Sequence, residues 1–158
     1  MKTIIGVFAI IIIVFLFGCS KDTTAPLVLN STEKQDIIMF IDSNSIQLFT
    51  DSLTIQKVDM NKDSLQLIVS YGGGCKSHQF ALYGYANFNK SSPPQAEICL
   101  SHNGNGDSCK KLITQEIKFN LEPLLTACKR QFGNGQILLR IHINKNPEPI
   151  RPFTSVSF

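Results

Sequence analysis

The chain has 158 residues, 43% of them hydrophobic and only 17% charged, a balance that excludes disorder throughout and fits one domain behind a short leader. Fifteen basic residues against twelve acidic ones leave a formal charge of +3, too small an imbalance to point to a nucleic-acid partner. Much of the apolar excess lies at the start. Met1-Lys2 is a short positive segment, and Ile4 to Phe17 is then an almost unbroken apolar run. That run is too short to span about 30 Å of hydrocarbon comfortably, but it suits the hydrophobic region of a secretory signal.

The run ends in Leu16-Phe17-Gly18-Cys19, which resembles the lipobox of bacterial lipoproteins. The resemblance implies cleavage after residue 18 and a diacylglycerol on the Cys19 thiol, with two or more acyl chains making a stable anchor. Cys19-Ser20-Lys21-Asp22 is similar to the start of lipoproteins from Bacteroidota-type bacteria, and Ser20 is not the Asp that holds many lipoproteins at the inner membrane. The implied address is the cell envelope, outer membrane rather than inner. The expected organisation is a signal peptide over 1–18, a lipidated N-terminus and tether over 19–32, and a single β-rich domain over 33–158.

After the tether, Asn30 with Glu33 fits a capping box opening a short helix, while Asp36 to Ile41 fits a buried strand equally well. From residue 53 the hydrophobic period is two. Residues 53–60 and 64–71 form a predicted hairpin around Asn61-Lys62-Asp63. His78 to Ala86 and Glu97 to His102 form a second pair around a loop holding Pro93 and Pro94. Centred on Lys90, that pair sets Phe80 against Leu100, Leu82 against Ile98 and His78 against His102. Residues 112–121 alternate again. The stripe Leu121, Leu124, Leu125, Cys128 and Phe132 predicts one helix, with Asn120 as its cap, Pro123 in its first turn and Gly133 at its end. Strand 136–143 follows, a turn at Asn146 to Pro149 ends it, and Phe153 to Phe158 adds an edge strand. Together these predict a mainly β fold: an antiparallel β-sandwich, of immunoglobulin-like type, with one short helix and disulfide staples.

Setting Cys19 aside leaves Cys75, Cys99, Cys109 and Cys128. In an exported chain an even number favours two disulfides, expected as Cys75–Cys109 between flexible turns and Cys99–Cys128 between strand and helix. The spacings Cys75-x-x-His78 and Cys99-x-x-His102 also resemble metal-ligand spacing. On a regular strand, however, an offset of three puts each cysteine on the face opposite its histidine. His78 and His102 share a face, and with Asp107 they could form a two-histidine, one-carboxylate site for zinc or copper. Asp59-x-Asn61-x-Asp63 begins like a calcium loop but has Ser64 where glycine belongs and Ser70 where glutamate belongs, so it reads as a turn. Gly72-Gly73-Gly74 reads as a bend or bulge rather than a phosphate loop. Asn103 to Asp107 reads as turns, and Lys110-Lys111 and Lys129-Arg130 as solvated charges. No nucleophile elbow and no Cys-x-x-Cys redox pair is present.

The segments Val69 to Phe80, His102 with Asn105 to Cys109, and Phe119 to Leu124 together resemble a set of exported bacterial lipoproteins, uncharacterised in activity. The resemblance adds no catalytic residue and no cofactor. The functional expectation is a lipid-anchored envelope module that binds an envelope protein or other ligand and is not an enzyme. The alternative is a zinc- or copper-binding lipoprotein using His78 and His102.

Overall fold

The computed structural model describes residues 28–40, 48–143 and 150–158. The expected leader, Cys19, the first part of the tether and the Asn146 to Pro149 turn lie outside the described residues. So does Ile41, at the end of the segment left open between helix and strand. The elements in chain order are β1 (Val28–Asp36), β2 (Ile38–Phe40), β3 (Thr54–Asn61), β4 (Ser64–Gly73), β5 (Gln79–Tyr85), β6 (Gln95–Asn103), β7 (Lys111–Asn120), α1 (Glu122–Phe132), β8 (Gln136–Ile143) and β9 (Ile150–Ser157). The fold is mainly β: among the described residues there are two sheets and one helix, tied by a Cys75–Cys109 disulfide. One sheet has the order β1-β7-β4-β3 and the other β2-β5-β6-β8-β9.

Both sheets turn one face to a shared core. Along β4 the residues buried in the core are Leu65, Leu67, Val69 and Tyr71; along β6 they are Ala96, Ile98, Leu100 and His102. Ile117 and Phe119 of β7, Leu82 of β5 and Ile137, Leu139 and Ile141 of β8 complete the layer. Each such side chain contributes about 1.5–3 kcal/mol on burial. Helix α1 closes one side with Leu124, Leu125 and Cys128. Its N-cap is Leu121, with Asn120 one position earlier accepting the Glu122 N–H at 3.3 Å. Gly133, at φ +78°, ends it.

Three expectations change, and the first hairpin holds. The sheets are mixed rather than purely antiparallel, because β1–β7, β2–β5 and β6–β8 are parallel pairs. Alternation of apolar residues fixes which face is buried and carries no information on strand direction. The segment from Asn30 is strand, and β1 starts at Val28, inside the stretch expected to be tether. The first hairpin turns at Lys62, which takes φ +55°. In the second, Phe80 pairs with His102 and Leu82 with Leu100, two residues from the expected register. Its loop closes on an Asn89–Gln95 bridge, which moves the turn toward the C-terminal side. A shift of two preserves every face.

Candidate functional site

The β4–β5 and β6–β7 connections both pass from one sheet to the other at the same end of the sandwich. β4 runs out at Gly73, and Gly74 turns the chain at φ +113°. After β6, Asn105 at φ +53° and Gly106 at φ +63° make the matching turn. The Cys75–Cys109 disulfide joins the two connections, with Cα atoms 5.9 Å apart.

Asp107 is the hub of this end. Its Oδ2 accepts the backbone N–H groups of Gly74, Cys75 and Lys76, each at 2.9 Å. Its Oδ1 accepts the Cys109 N–H at 2.9 Å. These N–H groups form a small anion-binding nest. The Cys109 N–H, reinforced by those of Lys76 and Cys75 and by His78, outweighs burial and holds the carboxyl well below its usual range. Lys76 then folds its ammonium onto the Asn105 and Gly106 carbonyls at 3.0 and 3.1 Å.

From Asp107 a line of contacts runs into the core. His78 Nε2 lies 3.3 Å from Asp107 Oδ2, and His78 Nδ1 lies 2.8 Å from His102 Nε2. His102 Nδ1 lies 3.2 Å from the Asp51 carbonyl oxygen. Both histidines are sealed: the His78 side chain is 3% exposed and His102 is 1% exposed. Tyr71 stacks on His78 with ring centroids 4.5 Å apart, and Phe80 lies parallel to His102 at 4.7 Å. The carboxylate and the carbonyl can only accept, and the central contact needs one proton. Which ring nitrogen carries each proton along the line is set by the tautomers of the two rings. Burial, with His78 nearby, pushes the His102 titration below its usual value.

His78, His102 and Asp107 are thus brought together as the shared-face argument requires, but as a chain rather than a convergent ligand set. His102 and Asp107 approach opposite nitrogens of the His78 ring, so the three do not point at one position. Cys75, Asp107 and Cys109 do present ligand atoms within 4.8 Å of one another. Their sulfurs are bonded to each other and are not thiolates.

The expected Cys99–Cys128 bridge does not form. In β6 the residues Ala96, Ile98 and Leu100 face the core, so Cys99 lies on the outer face, level with Tyr83 of β5 and His142 of β8. Cys128 is fully buried on the core side of α1. Burial pushes each thiol up to about 11. Asp51 and Tyr71 carry no sequence signal of this role, and Gly73 reads from sequence only as part of a bend or bulge. Asp51 supplies the carbonyl to His102, and its Oδ2 accepts the Gly104 N–H at 2.6 Å. No local pattern marks that contact, which spans more than fifty residues.

Beside the histidines a cleft of about 450 Å³ follows the edge of β5, lined by Phe49, Gln79, Ala81, Tyr83, Gln115 and neighbours. A second, of about 400 Å³, lies between Asp51, Gly104, Asp107 and Lys110.

No known family profile matches the chain, and no curated protein matches it. Among solved structures, the chain is similar to a NigD-like immunity protein from Bacteroides caccae at 13% identity and TM-score 0.53, over 77% of this chain and 58% of that one. A protein of unknown function from Bacteroides vulgatus matches at 15% identity and TM-score 0.46, over 83% and 56%. A candidate lipoprotein from Bacteroides fragilis matches at 10% identity and TM-score 0.49, over 78% and 70%. At these identities the likeness is one of fold. The chain spans little more than half the length of the immunity protein. Among the described residues no helix is long and apolar enough to cross a membrane.

Proposed function

We propose that this chain is a lipid-anchored module of the bacterial cell envelope that binds a partner through the cleft along β5, with no reaction and no metal of its own. One observation carries the reading. Both ring nitrogens of His78 and His102, and both oxygens of Asp107, are spent on internal hydrogen bonds. A general base or metal ligand needs a nitrogen or oxygen free to face its substrate. Here those groups are used to hold two crossover loops in place, and the open surface next to them is the cleft.

The anchor half of the reading rests on the apolar leader and the Leu16-Phe17-Gly18-Cys19 motif. Its test is labelling of growing cells with an alkyne fatty acid. The wild-type chain takes up label and fractionates with the outer membrane, and Cys19→Ala takes up none. Label that persists in Cys19→Ala, or recovery of the intact leader in the cytosol, overturns it. The binding half is tested by a photo-crosslinking residue at position 79. It captures a defined envelope protein in living cells, whereas the same group at Lys57, on the far edge of the other sheet, does not.

A further inference from the structure

We infer that the edge of β5 from Gln79 to Leu82 receives an extended, uncharged peptide segment of a partner protein as an added strand. The inference rests on the binding reading above and names the class of ligand. β2 pairs with β5 only from Tyr83 to Tyr85, and among the described residues no strand lies beside Gln79 to Leu82 on that side. An edge strand presents every second N–H and C=O outward, and natural proteins usually blunt such edges with charge, proline or brevity. Three other edges follow that rule. β1 carries Lys34 and Asp36, β3 carries Lys57 and Asp59, and β2 has only three residues. Gln79-Phe80-Ala81-Leu82 has none of these protections.

The cleft has the shape such a strand needs. It is lined by both faces of β5: Phe80, which turns inward, and Ala81 and Tyr83, which turn outward. A cavity on one face of a sheet would show one parity only. A strand laid along the edge sends alternate side chains to either side. Four residues of edge span about 13 Å at roughly 3.3 Å per residue.

The lining also selects the occupant. It contains no Asp, Glu, Lys or Arg. The Gln115 oxygen accepts the Tyr71 hydroxyl at 2.7 Å, and the Gln79 oxygen accepts the Asn103 amide at 3.4 Å. Each of these two glutamines thus turns its oxygen to a partner inside the protein and keeps its NH₂ to donate. Neutral donors suit peptide carbonyls. Phe49, 47% exposed, offers an apolar contact at the outer side.

The test uses a bead library of uncharged heptapeptides and a matched library carrying one acidic or basic residue at each position, screened against the mature chain. The uncharged library yields micromolar binders, and hydrogen exchange shows the added protection confined to Gln79 to Leu82. Gln79→Lys and Ala81→Lys, each with an unchanged melting temperature, weaken those binders at least tenfold, and Lys57→Ala leaves them unchanged. Because Gln79 is exposed, its variant remains informative if Ala81→Lys folds poorly. The inference is overturned if no uncharged peptide binds, if charged peptides bind better, or if protection falls elsewhere. It is also overturned if the chain forms a dimer that Gln79→Lys abolishes, since the occupant is then a second copy. A cellular crosslink from position 79 without any peptide binder rejects the strand and leaves the binding reading standing. Peptide binding without a cellular partner does the reverse.

Discussion

A Cβ placed on Gly73 would lie 2.6 Å from His78 Nε2 and 3.0 Å from Asp107 Oδ2. The missing side chain at 73 is therefore the space in which the ring and the carboxylate meet. Gly73→Ala should cost about 2–3 kcal/mol, by overpacking and by disturbing the His78–Asp107 contact. Gly72→Ala, with nothing within 4 Å of its Cβ, should change stability by less than about 0.5 kcal/mol. Urea melts of the two variants check this, and equal losses would show that the space is not what matters.

The pH dependence follows from two depressed titrations. His102 titrates lower in the folded chain than its usual value near 6.5. Folding thus favours its neutral form, and that stability is present above about pH 6.5 and shrinks as pH falls. Asp107 is also depressed, from its usual value of 3.8. Its share is present above about pH 4 and is lost below. Unfolding free energy should decline in two stages between pH 7 and pH 3. Asp107→Asn should remove the lower stage and leave the upper.

The two histidines should be coupled. His78→Phe keeps a ring against Tyr71 but breaks both hydrogen bonds, and His102→Phe does the same beside Phe80. Each should cost about 2–4 kcal/mol, as loss from a buried network does. The double variant should cost less than the sum by about 1–2 kcal/mol. A strictly additive double-mutant cycle would mean that the 2.8 Å contact contributes nothing.

Thiol counting separates the two cysteine pairs. Without Cys19, the denatured chain should react at two thiols, Cys99 and Cys128, and at four after reduction. The folded chain should react slowly, since Cys128 is sealed and both thiols are held protonated to about pH 11. Cys75→Ser with Cys109→Ser should cost about 4 kcal/mol on the chain-entropy estimate for a separation of 34 residues.

Metal content should be far below one ion per chain. Untagged protein dialysed against zinc or copper, then desalted, should retain none by elemental analysis. Stoichiometric metal that His78→Phe removes would restore the metal-binding reading.

Much of this arrangement was legible in the sequence, and the reason is parity. Alternation in 64–71, 78–86 and 97–102 placed the strands, and it put His78 and His102 on one face. That conclusion survived a two-residue error in register because a shift of two changes no face. The same rule, applied to Cys99, sets it opposite Ile98 and Leu100. The proposed bridge to the core-facing Cys128 therefore contradicted the alternation that paired the histidines. Strand direction was not legible, since β8 reaches β6 in parallel only through the path of β7 and α1. Nor was Asp51, whose carbonyl bonds His102 across the fold without a local signature.

The Cys75–Cys109 bond fastens together the two loops that carry the chain from sheet to sheet. Asp107 sits two residues from one of its sulfurs and gathers the amides around the other. With that bond reduced, the covalent tie between the loops is gone while the Asp107 hydrogen bonds remain. The histidine end of the molecule is consequently the part whose geometry depends most directly on the redox state of its thiols.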